Sequence, residues 1–86
     1  METEQLLRLL SDNVDWAQLV VVLREQFLDY TQREFADELA VDVSTVAKWE
    51  QCKNEPRRIS KRRLRELAEK SGYREDLWPR KGKRQL

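Results

Sequence analysis

The chain has 86 residues, 40% of them hydrophobic and 38% charged, which allows one domain with a modest core supplied by three Trp, two Tyr and two Phe. One Cys excludes a disulfide framework, and with no His a Cys/His zinc site has too few ligands. The net charge of +1 conceals a division: residues 1–55 hold five bases and twelve acids, a net of −7, while residues 56–86 hold twelve bases and four acids, a net of +8. Such asymmetry suggests an anionic partner, self-association, or only a solvated charged surface.

Met1-Glu2-Thr3-Glu4 is acidic where a secretory signal would be basic. No segment approaches the roughly 18–20 apolar residues of a membrane span, so the expected setting is a reducing cytosol. In Glu4–Leu10, Leu6, Leu9 and Leu10 share one helical stripe, and Ser11-Asp12-Asn13 closes this N-terminal helical extension over 1–12. A domain is expected over 13–78. From Val14 to about Leu28, Trp16, Leu19, Val20, Leu23 and Phe27 recur on one face of a helix. The Val20–Val22 run also fits a buried strand, but the pattern is long and no partner strand appears.

Thr31-Gln32-Arg33-Glu34 is a capping box, in which the Thr hydroxyl accepts from the Glu34 amide and the Glu carboxylate from the Thr31 amide. It starts a helix with Phe35, Ala36 and Leu39 inward. Ala40-Val41-Asp42 interrupts, and Asp42 is the expected N-cap of a helix over Val43–Gln51 with Val46 and Trp49 inward. A loop at Lys53–Pro56 follows, since a residue before proline avoids the α region. Ser60 is the expected cap of a fourth helix, Lys61–Lys70, with Leu64, Leu67 and Ala68 inward and Gly72 at its end. Tyr73–Trp78 forms a last turn, docking its aromatics on the core or on a second subunit. Residues 79–86 read as a disordered basic tail. The fold class is all-α, with about five helices.

Two short helices joined by a tight turn make a unit of about twenty residues, the size of a DNA-binding helix-turn-helix. The stretch Thr31-Gln32-x-x-x-Ala36-x-x-Leu39-x-Val41-x-x-Ser44-x-Val46-x-x-Trp49-Glu50-x-x-Lys53-x-x-Pro56 resembles the Cro/phage-repressor (XRE) family. The likeness spans 26 positions, and with a helix on either side it reaches roughly 15–72. It implies a lambda-repressor-like bundle acting as a DNA-binding transcriptional regulator, usually a repressor, encoded by a bacterium or phage.

On the second helix of the unit, Val43, Ser44, Ala47 and Lys48 are the outward positions that would face a groove. The resemblance makes Val43, Ser44 and Lys48 base-edge candidates: Lys48 suits guanine O6/N7, Ser44 almost any edge, and Val43 a thymine methyl. Thr45 lies toward the side and can reach a phosphate. By resemblance Gln32 bonds a backbone phosphate, with Arg33 beside it; a solvated first-turn residue is the bland alternative. Gln51 and Lys53 would meet phosphates on the far side. Arg57 and Arg58 would flank the groove, and in the resembling family an arginine in this loop approaches the minor groove.

Lys61, Arg62 and Arg63 are expected in the first turn of the fourth helix, where the helix dipole disfavours cations. A phosphate partner would explain that cost, and a solvated basic helix end is the alternative. Glu34 is committed to its cap, and Glu50 is expected to be buried against Arg24. The resembling family has glycine where this chain has Ala40 and Cys52, and the link Gln26–Tyr30 is about one residue longer than usual.

The expected partner is duplex DNA, bound as a homodimer to a palindromic operator. Leu6–Leu10 and the Tyr73/Leu77/Trp78 end are the candidate dimer surfaces. A competing reading is an antitoxin-like or adaptor protein whose main partner is another protein. No catalytic residue, metal ligand or cofactor is expected, because there is no His, no glycine-rich phosphate loop and no nucleophile clustered with a base.

Overall fold

A computed structural model describes residues 13–81. The expected helical extension over 1–12 and residues 82–86 lie outside them. The described chain is helical: α1 (Trp16–Val22), α2 (Gln32–Leu39), α3 (Val43–Glu50) and α4 (Arg58–Ser71), with a π-helical turn at Leu23–Phe27 and a 3-10 turn at Glu75–Leu77.

Helix α1 begins later than its apolar pattern. Asp15, not anticipated as a cap, accepts from the Gln18 amide at 3.2 Å, while Val14 stands before the helix in an isolated antiparallel bridge with Arg80. The long link after α1 is absorbed as a π turn. Leu28 N–H donates to the Leu23 carbonyl five residues back at 3.0 Å, and Asp29 then takes φ 55° to turn the chain. One inserted residue within a helix produces this geometry without unfolding its neighbours. The turn brings the Tyr30 carbonyl to the Arg24 guanidinium at 3.0 Å.

The capping box of α2 is complete: Glu34 N–H donates to Thr31 Oγ1 at 3.0 Å, and Thr31 N–H to Glu34 Oε1 at 2.8 Å. Three helices end in the same way. At α2, Val41 N–H reaches the Ala36 carbonyl at 3.0 Å and Ala40 N–H the Asp37 carbonyl at 3.2 Å. At α3, the Lys53 and Cys52 amides do the same to Lys48 and Trp49, and at α4 the Tyr73 and Gly72 amides to Ala68 and Glu69. This paired pattern satisfies helix-terminal carbonyls and requires a left-handed residue at the turn. Ala40 (φ 59°), Cys52 (φ 63°) and Gly72 (φ 88°) supply it, only the last at glycine's low cost.

Two helix starts depart from expectation, α3 only in its cap bonding and α4 in its position. Asp42 occupies the N-cap of α3, but its exposed carboxylate makes no capping bond. Helix α4 starts at Arg58 rather than Lys61: Arg57 is the N-cap, its carbonyl accepting from the Lys61 amide at 2.8 Å, and Ser60 lies inside the helix. Pro56, itself buried, holds the chain extended only until the next residue, so the helix begins one turn early.

Helix α3 packs on both α1 and α2, and α2 also contacts α4. The core gathers Trp16, Leu19 and Val20 from α1, Leu23 from the π-helical turn, Phe35, Ala36 and Leu39 from α2, Val46 and Trp49 from α3, and Leu64 and Ala68 from α4. Phe27, expected inside, is 38% exposed and lies stacked on Tyr73 at 4.4 Å between centroids.

Tyr73 and Trp78, candidates for a dimer surface, are buried in this same core, where Trp78 Nε1–H donates to the Tyr73 carbonyl at 3.1 Å. A small domain needs such large side chains to complete its own interior. Burial also pushes the Tyr73 hydroxyl above its ordinary pKa. Residues 79–81, expected in a disordered tail, are tied down instead. The Asp15 amide donates to the Pro79 carbonyl and the Lys81 amide to the Asn13 carbonyl, both at 2.9 Å. No helix among the described residues is long and apolar enough to cross a membrane.

Candidate nucleic-acid interface

Burial of Val46 and Trp49 fixes the rotation of α3. Ser44, Lys48 and Gln51, spaced at four and then three residues, therefore form the stripe opposite the core, and all three are exposed. Gln51 is the residue that ends the helix. Val43, Thr45 and Ala47 are half-buried flanks, and Val43 packs partly against the core. Of the four candidate base-edge residues, Ser44 and Lys48 thus project freely, while Val43 and Ala47 offer only an apolar edge.

The buried end of α3 is held by a polar network. Arg24 Nε donates to Glu50 Oε2 at 2.7 Å and Nη2 to Glu50 Oε1 at 3.1 Å, the pairing expected for Glu50. Gln32 Nε2 donates to the same Glu50 Oε1 at 2.9 Å. Gln32, the candidate phosphate ligand, therefore spends one amide hydrogen inside the fold. Its second N–H remains for an outside acceptor. The arrangement fixes the start of α2 to the end of α3, so the two would meet a ligand as one unit.

The candidate cations divide into two groups. Arg33, Lys48, Lys53, Arg57, Arg58 and Arg62 are exposed and have no ion-pair or hydrogen-bond partner among the described residues. Lys61 differs: its Nζ lies 2.7 Å from Glu55 Oε2 and 5.5 Å from the centroid of the Trp16 ring. Lys81 Nζ approaches the other oxygen of Glu55 at 3.3 Å. These bonds, the one to Lys61 foremost, hold the Glu55 carboxyl below its ordinary pKa.

Arg63 is also engaged, donating to the Leu39 carbonyl at the end of α2 at 2.9 Å. The early start of α4 removes Lys61, Arg62 and Arg63 from its first turn. The dipole cost expected for them falls on Arg58 instead.

Thr45 and Arg57 are brought together. They line one open cleft of about 460 Å³ with Val41, Trp49, Asn54, Glu55 and Ser60. Asn54 and Ser60 were not singled out from the sequence, where one reads as loop and the other as a helix cap. The cleft joins the side of α3 to the start of α4, and its single acid is the ion-paired Glu55. Elsewhere the exposed acids Asp37 and Glu38 lie on α2, and Glu66 and Glu69 on the later turns of α4. No group of three His, Cys, Asp or Glu among the described residues could hold a metal ion. Comparison with protein-family models, with curated proteins and with solved structures yields no match to this chain.

Proposed function

We propose that the chain is a helix-turn-helix protein that binds duplex DNA sequence-specifically, with α3 as the recognition helix in the major groove. The observation that carries this reading is the set of exposed, unpaired cations at Arg33, Lys48, Lys53, Arg57, Arg58 and Arg62, together with a helix whose outward stripe is Ser44, Lys48 and Gln51 and whose Thr45 shares a cleft with Arg57. Unpaired surface cations repel one another and are favoured where phosphates neutralise them. Two acids close in sequence are already engaged, Glu50 with Arg24 and Glu55 with Lys61 and Lys81, while Asp42 at the start of α3 stays exposed. The resemblance to the Cro/phage-repressor family supports the same reading.

In this mechanism Gln32, Arg33, Thr45, Gln51, Lys53, Arg57, Arg58 and Arg62 position the protein on phosphates, and Ser44 and Lys48 read base edges with Val43 and Ala47 as apolar flanks. Lys61 contributes only if a phosphate displaces Glu55. With one strong base reader per chain, a homodimer on a palindrome would double the sequence read, with half-site centres about 10–10.5 bp apart. Bound to an operator, such a protein acts as a small transcriptional repressor. Selection of duplexes from a random pool, followed by titration of the recovered site across roughly 50–200 mM salt, tests the reading. A recovered motif and a steep fall of affinity with salt are expected. No enrichment, or binding indifferent to salt, overturns it.

A further inference from the structure

Three large apolar side chains among the described residues are exposed: Phe27, Ile59 and Leu77. Phe27 has a partner in Tyr73, and Leu77 follows Glu75 and Asp76 in a turn whose acids pair with Arg65 and Arg74. Ile59 is different. It is 67% exposed on the first turn of α4, where a branched apolar side chain gains nothing from water. Its surroundings are cationic: Arg57 and Arg58 precede it, and Arg62 lies one turn on along the same face. All three arginines are exposed and unpaired among the described residues, and Arg58 is carried at the helix end where the dipole opposes a cation.

A second copy of this chain fits such a patch poorly, because closing it on itself would bring two arginine clusters together. A polyanion with an apolar interior fits well. The DNA minor groove offers phosphates on both walls and, between base steps, an apolar slot. Proteins that enter it combine arginine with an inserted aliphatic side chain and bend the duplex as they do so.

Resting on the DNA-binding reading above, we propose that Ile59 is an apolar wedge for the minor groove, held there by Arg57, Arg58 and Arg62, and that the bound duplex is kinked where it enters. This adds a second reading element to the domain. Pyrimidine–purine steps unstack most readily, so the site would favour one beside the bases that α3 contacts, without any hydrogen bond to them.

The test uses the full chain and a duplex recovered by selection, carrying 2-aminopurine at the candidate step and a donor–acceptor dye pair at its ends. The native protein is expected to raise 2-aminopurine emission and to shorten the end-to-end distance. Ile59→Ala should abolish both changes and weaken binding roughly tenfold, with an unaltered salt slope. Arg58→Ala should lower the slope by about one and keep a reduced kink. Because Ile59 is exposed, Ile59→Ala should melt like the native chain, and matching melting curves are checked first.

Native-like emission and distance with Ile59→Ala overturn the wedge while leaving DNA binding intact. Sedimentation without DNA provides the other overturning result: a dimer that Ile59→Ala converts to monomer would mean that a second copy covers this residue. If no duplex is recovered at all, the DNA-binding reading fails first.

Discussion

Arg24 and Glu50 form a two-pronged ion pair between the π-helical turn after α1 and the end of α3, closed at 2.7 Å and 3.1 Å, with only 11% of either side chain exposed. Gln32 of α2 donates to the same carboxylate, so one Glu50 side chain ties α3 to α2 and to the π-helical turn. Glu50, hydrogen-bonded to it, also holds the Arg24 guanidinium above its ordinary pKa. Losing Glu50 leaves the Arg24 guanidinium at low exposure with only the exposed Glu25 carboxylate at 3.2 Å and the Tyr30 carbonyl, whereas removing both partners leaves no charge there. Glu50→Gln should therefore cost about 3 kcal/mol, and the double change Arg24→Met with Glu50→Met should recover most of it. Urea denaturation midpoints of the native chain and the two variants check this. Equal losses in the single and double variants would show that the pair is not the source.

Two helix ends keep side chains where the backbone is left-handed. The strain at Ala40 and Cys52 is about 1–2 kcal/mol each, of which glycine's greater freedom in the unfolded chain returns about 0.5–1 kcal/mol. Ala40→Gly and Cys52→Gly should each raise Tm by roughly 2–8 °C, and Ala40→Val should lower it. Calorimetry measures the shifts, and an unchanged Tm in both glycine variants would refute the argument. Neither site lies on the outward stripe of α3, so any DNA affinity should follow stability alone.

Lys48 and Lys53 separate base reading from phosphate contact. Lys48→Ala should cost about 1–3 kcal/mol on the selected duplex and flatten the preference at one base pair. Lys53→Ala should weaken all duplexes alike and reduce the salt slope by about one, with the preference unchanged. Competition binding against single-base variants distinguishes the two patterns.

Glu55 restrains two cations at the edge of the candidate interface. Its carboxyl is held below its ordinary pKa by Lys61 first and by Lys81 with it. A depressed folded pKa adds stability above the unfolded value near 4.5, and that stability is lost as pH falls through the lower folded value. The pair is therefore fully formed at neutral pH. Glu55→Gln should free Lys61 and Lys81, raise duplex affinity several-fold and steepen its salt dependence. The same variant should lose less stability on acidification than the native chain. Fluorescence anisotropy at several salt concentrations and acid melting curves provide the two readouts.

Signals of short range carried much of the fold into plain view. The capping box at Thr31–Glu34 is a contact between residues three apart, and it formed as its residue types require. The left-handed ends at Ala40 and Cys52, and the absorbed extra residue in the Gln26–Tyr30 link, were legible as departures from a familiar pattern. Helix starts were less legible. Helix α3 begins at Val43 with Asp42 at its N-cap, although the Asp42 carboxylate makes no capping bond, whereas Ser60 lies inside α4 because that helix starts soon after Pro56.

The all-helical class, the apolar faces and the sorting of charge along the chain follow from the sequence alone, because each depends on neighbours within a turn or two. Which cations stay free did not follow. Arg63 reaches a carbonyl 24 residues away, Lys81 a carboxylate 26 residues away, and Asn13 pairs with Lys81 across 68 residues. Tyr73 and Trp78, equally suited to a second subunit, were claimed by this chain's own core. A side chain's type states what it can bind. Which partner it finds depends on distances that exist only once distant segments have packed, and the free arginines around Ile59 are those the packing left without one.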